Sequence, residues 1–418
     1  MSTPWTNSQK IFFRCLASYA MWYIFFPMTI ELPPIWSSLG PWIGENIFGF
    51  LGPIDTSGNG SGDRTINYVA QWSILTLSVF TALIWSVVDR NRPSYNDALY
   101  WVTVVVRYYL AMTLMNYGFA KIFKTQFPFP SLSRLQQPFG DASPMGLAWT
   151  YMGYSTSFNY FTGFGEALAG FLLFFRSTTL VGTFVGIPVM ATIVAMNFSY
   201  DIPVKLYSTN LLLLLVFLLL PHYRRLLNFF LLNQTAKPHH WYAPDKDKLA
   251  WRWRLVLKYG FVGLLLYNNI SGGQERVKKY GDQRAKPPLY GLYIADEVLI
   301  NGDTIPPLIT DDNRWHTMAI DRPDNAIFRT MTGEQLYAKF KPDTTKEQVE
   351  FLLHHSMEKT ANLDYEVVKK GLIMKGILVS GGGNQSDTIK VTFRKKDLND
   401  YELIRRGFHW INEYPYNR

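Results

Sequence analysis

The sequence predicts a membrane protein with two unlike parts: a polytopic α-helical bundle of about seven spans, and a C-terminal antiparallel β-barrel or sandwich domain with one helix. Three observations predict this fold class. Residues 1–270 contain long apolar runs, whereas residues 271–418 are hydrophilic and rich in charge. From Pro287 onward, short alternating runs are separated by turn sequences. Basic residues lie in short stretches beside the apolar runs, as they do on the cytoplasmic side of membrane proteins.

Length and composition narrow the class of protein further. At 418 residues the chain is long enough for two domains. Its formal net charge of +9 comes without a nucleic-acid-binding motif, so we expect no nucleic-acid partner. The single cysteine, Cys15, cannot form an intrachain disulfide.

Seven apolar stretches are candidates for membrane spans. A helix needs about 20 mostly apolar residues to cross about 30 Å of hydrocarbon. The stretches that meet or nearly meet this requirement are 11–30, 67–88, 98–123, 159–175, 179–199, 205–220 and 253–270. No small-residue cleavage site follows the first stretch, which is therefore predicted to be a retained span rather than a signal peptide.

The distribution of lysine and arginine predicts the orientation of the spans. The loops after the second, fourth and sixth spans carry arginines, whereas the first long loop, 31–66, is mainly acidic. Because cytoplasmic loops are enriched in Lys and Arg, we expect a multi-pass protein of the bacterial inner membrane with a cytoplasmic N-terminus and a periplasmic C-terminal domain. The loop 123–158 departs from this rule, and its proline-rich, aromatic stretch predicts an interfacial segment along the membrane surface.

The segment 287–418 has the pattern of an antiparallel meander of about seven or eight strands. β-Favouring runs occur at 289–300, 314–320, 326–331, 335–340, 372–379, 388–394 and 401–405. One helix is predicted at 345–357, with Thr345 as its cap. Such a domain is either an interaction or stabilising module or a lipocalin-like pocket for a lipidic ligand. The aromatic C-terminus, 405–418, is expected to pack across the barrel or on its membrane-facing side.

Ionisable side chains within the apolar runs are candidate functional residues, because each costs at least a few kcal/mol at bilayer depth. Five such groups occur: Arg107, Lys121, Glu166, Asp201 and Lys205. Arg107 and Lys121 are fourteen residues apart, which places them within about 40° of one helix face. The following span places Glu166 near the depth of Tyr117, about 10 Å into the bilayer. We therefore expect Glu166 to contact Lys121 or Tyr117, and Arg107 to find an acceptor deeper in the bundle.

These groups predict a polar pocket that opens outward from the bundle. Its candidate residues are Arg107, Asn116, Tyr117, Lys121, Glu166, Asn197, Asp201 and Lys205. Two structural alternatives remain open. The charged groups neutralise one another and lock helix packing, and Asp201 and Lys205, at i and i+4, form only an ion-paired helix start. A permeation path is disfavoured because the chain has no repeated polar stripe.

The sequence indicates no resident metal or redox cofactor. All seven histidines lie outside the apolar cores, and one cysteine cannot hold an iron–sulfur cluster. No zinc spacing and no nucleotide-binding glycine loop occurs, so we expect no metal site, no haem and no covalently bound cofactor. A redox role would require a diffusible quinone or a partner protein that carries the cofactor.

Motifs in the central helices resemble those of the DoxX-like membrane proteins. Arg107 is followed by Gly118-Phe-Ala-Lys121, and one span later by Glu166-Ala-Leu-Ala-Gly170 and Arg176-Ser-Thr-Thr-Leu-Val-Gly182. The segment 197–208 resembles the connection between the last two helices in one branch of that family, and the ending RGFHWINEYPYNR resembles that of its long, two-domain members. The resemblance implies a four-helix bundle and, for some members, association with quinone-linked oxidation of sulfur compounds.

Together these observations divide the chain into four regions. They are an N-terminal two-span region, 1–97, with the external loop 31–66; a DoxX-like four-helix unit, 98–232; a cytoplasmic basic loop, seventh span and linker, 233–286; and an external β-domain, 287–418.

Three functions from different classes remain open, and the sequence does not decide whether the chain is an enzyme. The first is a pocket in the lipid bilayer that binds a quinone or another lipidic ligand in a redox or envelope process. The second is a non-catalytic scaffold that presents the β-domain to protein partners in an envelope complex. The third is a membrane enzyme resembling the vitamin K-dependent carboxylases, with Lys121 or Lys205 as the base.

Overall fold

The computed structural model describes residues 5–26, 34–58, 60–235, 248–354, 359–380 and 386–417. The end of the first predicted span and most of the basic loop before the seventh therefore lie outside the described residues. The chain forms two compact units, which are treated separately below. The first, called here the helical unit, comprises Met1–Phe129 and Ser143–Asp282, and the second, the barrel unit, comprises Pro130–Ala142 and Gln283–Arg418.

Twelve α-helices occur in the described parts of the chain. They are α1 (Asn7–Phe25), α2 (Pro34–Asn46), α3 (Thr65–Val88), α4 (Asn96–Ile122), α5 (Leu132–Leu135), α6 (Pro144–Tyr154), α7 (Thr156–Leu173), α8 (Thr179–Ser199), α9 (Lys205–Leu219), α10 (Tyr223–Leu226), α11 (Lys248–Lys279) and α12 (Glu402–Arg405). Several of these helices begin at a capping residue. In the capping box of α1, Gln9 N donates to Thr6 Oγ1 at 3.3 Å, and Thr6 N donates to Gln9 Oε1 at 2.9 Å.

Four helical segments among the described residues are long and apolar enough to cross a membrane. They are Thr65–Val88, Asn96–Ile122, Arg176–Ser199 and Lys205–Leu231. They coincide with the second, third, fifth and sixth predicted spans. The predicted total of about seven spans is therefore not supported.

The other three predicted spans are helices with different properties. α1 and α7 have 19 and 18 residues, so each is only about 27 to 29 Å long. α1 contains Lys10 and Arg14, and α7 begins with a polar turn. α11 has 32 residues, and its Lys and Arg residues lie at its two ends, within 248–258 and 276–279.

The helical unit contains a four-helix ring, in which α4, α7, α8 and α9 each pack against the next and α9 closes on α4. α4 and α7 approach closely because they meet at glycines. A Cβ on Gly118 would lie 2.6 Å from Ala167 N, and one on Gly163 would lie 2.7 Å from Gly118 O. Small residues at such a crossing let the backbones pack directly, as in the helix pairs of membrane proteins. α1 packs against α3 and α4, and α11 packs against α4.

The barrel unit contains nine antiparallel strands among the described residues. They are β1 (Gly291–Ile300), β2 (Asp303–Thr304), β3 (Trp315–Arg322), β4 (Asn325–Thr330), β5 (Gln335–Asp343), β6 (Gln348–His354), β7 (Lys359–Val368), β8 (Gly371–Ser380) and β9 (Ser386–Lys395). Strands β3 to β9 follow β1 in chain order, and β9 pairs with β1, for example at Val298↔Val391. The result is a closed eight-stranded barrel, with the short β2 paired to the end of β1.

Aromatic side chains in contact with one another occupy the interior of the barrel. The ring centroids of Trp315 and Phe328 are 4.4 Å apart, and Phe351 lies 5.0 Å from Phe328 and 5.6 Å from Phe340. A barrel of about eight strands is just wide enough for side chains to fill its interior. This packing argues against the lipocalin-like pocket.

Three secondary-structure predictions for the β-domain are corrected. The helix predicted at 345–357 is wrong, because residues 345–347 form a turn and Gln348–His354 form strand β6, which pairs with β5 and β7. The run 401–405 forms the single helical turn α12 instead of a strand. Strand β7 was not predicted.

Two further segments belong to the barrel unit. The middle of the loop 123–158 belongs to the barrel unit, where Leu132 of α5 packs with Leu292 and Ala319 in a small apolar cluster. The C-terminal segment does not pack across the barrel, since Trp410 and Tyr414 expose 91% and 85% of their surfaces.

Candidate functional site

A buried ion pair joins α4 and α7 in the helical unit. Lys121 Nζ donates to both carboxylate oxygens of Glu166, at 2.7 Å and 2.8 Å. Lys121 exposes 5% of its surface and Glu166 exposes 1%. This is one of the two contacts that the helical spacing predicted for Glu166, and both ionisable groups turn inward.

The environment of the ion pair is apolar and aromatic. Lys121 Nζ lies 5.9 Å from the ring centroids of both Tyr117 and Phe127, near the outer limit of a cation–π contact. The close approach of α4 and α7 at Gly118 brings the two helices together beside the pair. Desolvating two charges costs several kcal/mol per ion, which their attraction repays only with good geometry. The presence of a buried ion pair is therefore weak evidence that its two residues serve only to stabilise the fold.

Arg107 lies on the same helix as Lys121 but has a different set of partners. Its Nε donates to Leu173 O and its Nη2 donates to Phe174 O, both at 2.9 Å. These carbonyls end α7, where the last carbonyl groups of a helix have no intrahelical donor. Arg107 thus caps α7 and does not join the Lys121–Glu166 pair in the described structure.

A row of five tyrosines extends through the helical unit from this pair. The row consists of Tyr117, Tyr207, Tyr109, Tyr23 and Tyr19. Ring centroids are 6.1 Å apart for Tyr117 and Tyr207, and 6.2 Å apart for both Tyr109 with Tyr23 and Tyr23 with Tyr19. Tyr109 interacts electrostatically with Tyr207 and Tyr23, and the hydroxyl of Tyr23 is buried without a hydrogen-bond partner. We call this set the tyrosine row.

The far end of the tyrosine row closes into a ring of hydrogen bonds that joins α1, α3 and α9. Tyr19 Oη donates to Asn210 Oδ1, and Asn210 Nδ2 donates to Gln71 Oε1 at 3.0 Å. Gln71 Nε2 in turn donates to Tyr19 Oη at 2.9 Å. Each side chain is both donor and acceptor, so these buried and half-buried polar groups are satisfied without charge.

The remaining predicted site residues lie elsewhere. Asn116 is exposed and does not face the interior. Asn197 is buried, and its Nδ2 donates to Ser208 Oγ at 2.9 Å, which ties α8 to α9. Asp201 is exposed and pairs with Lys205 at 2.7 Å. The structure records no contact of these residues with Glu166 in the part of the chain that it describes.

Asp63, which the sequence analysis did not single out, organises the start of α9. Its carboxylate accepts from Lys205 N at 2.7 Å and from Leu206 N at 3.0 Å, and Lys205 Nζ lies 3.9 Å away. A carboxylate on the first amides of a helix satisfies groups that lack an intrahelical acceptor. Asp201 and Lys205 therefore belong to an ion-paired helix start, which matches the structural alternative stated for them.

Sequence reasoning also missed Arg14 and most of the tyrosine row. Arg14 exposes 4% of its surface, and its Nε and Nη2 donate to Tyr95 Oη at 3.0 Å and 2.6 Å. Its position inside the first apolar run was a usable signal. The tyrosines gave no such signal, because an aromatic residue in an apolar segment has no distinctive spacing.

The chemistry of the site follows from these contacts. An ammonium and a carboxylate are held in apolar surroundings beside phenol groups that can donate hydrogen bonds to a carbonyl oxygen. No group of three or more metal-ligating side chains occurs in the described ranges. The arrangement suits the polar head of an otherwise apolar ligand.

Comparison with curated proteins finds similarity to a protein of Bacillus subtilis (strain 168). Over 131 residues, which are 31% of this chain and 82% of the other protein, 32% of the residues are identical. That relative is named uncharacterized protein YwoB. No family model and no solved structure matches the chain.

Proposed function

The chain belongs to the same family as YwoB, and from that premise we propose that it is an integral membrane protein that binds a quinone or another lipidic ligand at the Lys121–Glu166 pair. The observation that carries this proposal is a carboxylate that exposes 1% of its surface within an apolar helical unit. Ionisable groups in such surroundings are expensive and mark functional sites by default. The ligand would serve a redox or envelope process.

The proposal includes a topology and a family resemblance. The helical unit is multi-pass in the bacterial inner membrane, with a cytoplasmic N-terminus and a periplasmic barrel. The four-helix ring of α4, α7, α8 and α9 supports a DoxX-like unit, because it joins the helices that carry the resembling motifs. A reporter active only in the cytoplasm, fused after Arg418, should remain silent.

The ligand head group would take two kinds of contact. The Lys121 ammonium offers a donor to a quinone carbonyl, and the Glu166 carboxylate offers an acceptor to a quinol hydroxyl. Tyr117 provides an aromatic face beside the pair, and the ring centroid of Tyr207 lies 6.1 Å from that of Tyr117. The apolar tail would lie among the helices.

Mass spectrometry of quinones and lipids that copurify with the gently solubilised protein tests the proposal. We expect a quinone or one enriched lipid in the wild-type protein, and its loss from Glu166→Gln. The matched control is Glu275→Gln, because Glu275 is an exposed glutamate of α11. A Glu166→Gln protein that retains the same ligand at the same stoichiometry would refute the proposal.

A second function, a scaffold that presents the barrel to protein partners in an envelope complex, is favoured by a different observation. Lys121 and Glu166 satisfy each other directly, and aromatic rings fill the barrel. In this case Glu166→Gln should lower stability only, while deletion of 287–418 should abolish partner capture. The carboxylase-like alternative gains no support, because Lys121 and Lys205 each have a carboxylate partner.

A further inference from the structure

Arg329, in the barrel unit, is buried without a counter-charge. It follows Phe328, whose side chain lies in the barrel core, so Arg329 points to the outer face of β4. It exposes 8% of its surface. Its Nη1 donates to Gly333 O at 3.2 Å, but its Nε and Nη2 are buried without a hydrogen-bond partner. Among the described residues, Arg329 forms no salt bridge.

The unpartnered edge of Arg329 is the one that binds anions. Nε–H and Nη2–H point in the same direction and form a fork that matches two oxygens of a carboxylate or phosphate. The same barrel shows this edge in use at Arg394, whose Nε and Nη2 donate to the two carboxylate oxygens of Asp296, at 3.1 Å and 3.3 Å. Gly333 O fixes the guanidinium of Arg329 from the opposite side. A buried charged donor without a partner is costly, so the arrangement calls for a ligand.

A second unpartnered group lies directly across from Arg329. Thr317 of β3 is the register partner of Arg329, so the two side chains share the outer face. Thr317 exposes 6% of its surface, and its Oγ1 has no hydrogen-bond partner. Arg314, which exposes 2%, adds a second permanent positive charge. Its Nε and Nη1 bond to Ile305 O and Trp315 O, so it contributes charge and does not form an open fork.

We propose that Arg329 and Thr317 form a binding site for a phosphate group on the outer face of the barrel. Two phosphate oxygens occupy the Nε–Nη2 edge of Arg329, and a third accepts from the Thr317 hydroxyl. A tetrahedral oxyanion fits this set better than a planar carboxylate, because a carboxylate has no third oxygen for Thr317. The positive charge of Arg329 attracts the phosphate anion. The phosphate belongs either to a soluble phosphate compound or to a phospholipid head group.

Titration calorimetry with inorganic phosphate tests this site on the full-length protein in a maltoside detergent, at an ionic strength held constant with chloride. Arg329→Lys keeps the charge but removes the fork, and we expect it to weaken phosphate binding by about tenfold or more. Thr317→Val should weaken binding severalfold, and it provides a second test if Arg329→Lys does not fold. Arg394→Lys is the matched control and should leave the phosphate affinity unchanged.

A competition experiment distinguishes the two sources of phosphate. If phosphatidylglycerol added to the micelles displaces inorganic phosphate, the site holds a lipid head group. If it does not, the site holds a soluble phosphate compound, and either result supports the site. The proposal is overturned if phosphate binds no better than chloride, or if Arg329→Lys and Thr317→Val both bind phosphate as the wild-type protein does.

Discussion

Breaking the Lys121–Glu166 pair from one side should destabilise the helical unit strongly. Glu166→Leu removes the negative charge at similar volume, and Lys121→Met removes the positive charge at nearly constant length. Each single variant leaves one charge buried against apolar and aromatic groups, because no other ion pair of either residue occurs among the described residues. Replacing both residues, as in Lys121→Met with Glu166→Leu, leaves no buried charge.

The structure sets the expected magnitudes. Glu166 and Lys121 expose 1% and 5% of their surfaces, so neither can regain solvation when its partner is removed. Removing one partner of such a pair typically costs about 3–5 kcal/mol, whereas replacing both with apolar residues of similar volume is often neutral or stabilising. We expect each single variant to lose about 3–5 kcal/mol and the double variant to lie within about 1 kcal/mol of wild type.

Reversible unfolding of the purified protein in mixed detergent micelles measures these free energies of unfolding as a double-mutant cycle. Single variants that each lose less than about 1 kcal/mol, or a double variant that loses the sum of both, would refute the interpretation of the contact as a desolvated ion pair.

The double variant also separates stability from ligand binding. It keeps the fold but lacks both groups that would hold a quinone head. If it remains stable and copurifies without the ligand, the pair serves binding. If it remains stable and retains the ligand, the energetic argument stands and the proposed function fails.

Three further predictions concern packing, capping and pH. Gly118→Val should separate α4 from α7 and lower the melting temperature, because a Cβ there would lie 2.6 Å from Ala167 N. The control is Gly260→Ala, whose new Cβ would have nothing within 4 Å; it should leave the melting temperature unchanged or raise it. Arg107→Met removes two charged hydrogen bonds to the end of α7 and should cost about 3 kcal/mol of unfolding free energy, with Arg107→Lys intermediate. Partial burial, together with the charges of Arg314 and Arg329, lowers the pKa of His316 from its usual 6.5. The folded state therefore resists protonation, and wild-type stability should fall as the pH drops below 6.5. His316→Gln should reduce that decline in melting temperature between about pH 7 and 5, and an unchanged decline would contradict this assignment.

The sequence predicted the buried contact better than it predicted the spans. The helical repeat and the predicted depth of each residue were sufficient to predict the contact between Glu166 and Lys121. Both quantities depend only on the rise and the rotation per residue of an α-helix. The span count depends on how much polarity a helix tolerates. Arg14, buried in α1 against Tyr95, shows that a helix can hold a charge through tertiary contacts which a hydropathy pattern does not contain.

The error at 345–357 has a similar cause. Val349, Leu352 and Leu353 share a helical face, but Val349, Phe351 and Leu353 also alternate, and these three point into the barrel core. A short apolar run fits both periods, so its neighbours decide between them. Pairing with β5 and β7 favours the strand, and Asp343 accepts from Thr345 N in the turn before it, where a helix cap was predicted.

The different partners of the two buried cations on α4 narrow the candidate ligand site. Arg107 bonds to carbonyl groups that would otherwise be unsatisfied at the end of α7, and so it resolves a backbone requirement of the fold. Lys121 meets a carboxylate that is itself costly to bury, and two apolar side chains could replace the pair without leaving a backbone group unpaired. Selection for stability alone therefore explains why an arginine is buried at position 107. It does not explain why a lysine and a glutamate are buried at positions 121 and 166. The proposed ligand-binding role therefore rests on these two residues and their neighbouring tyrosines, while Arg107 holds the end of α7 against α4.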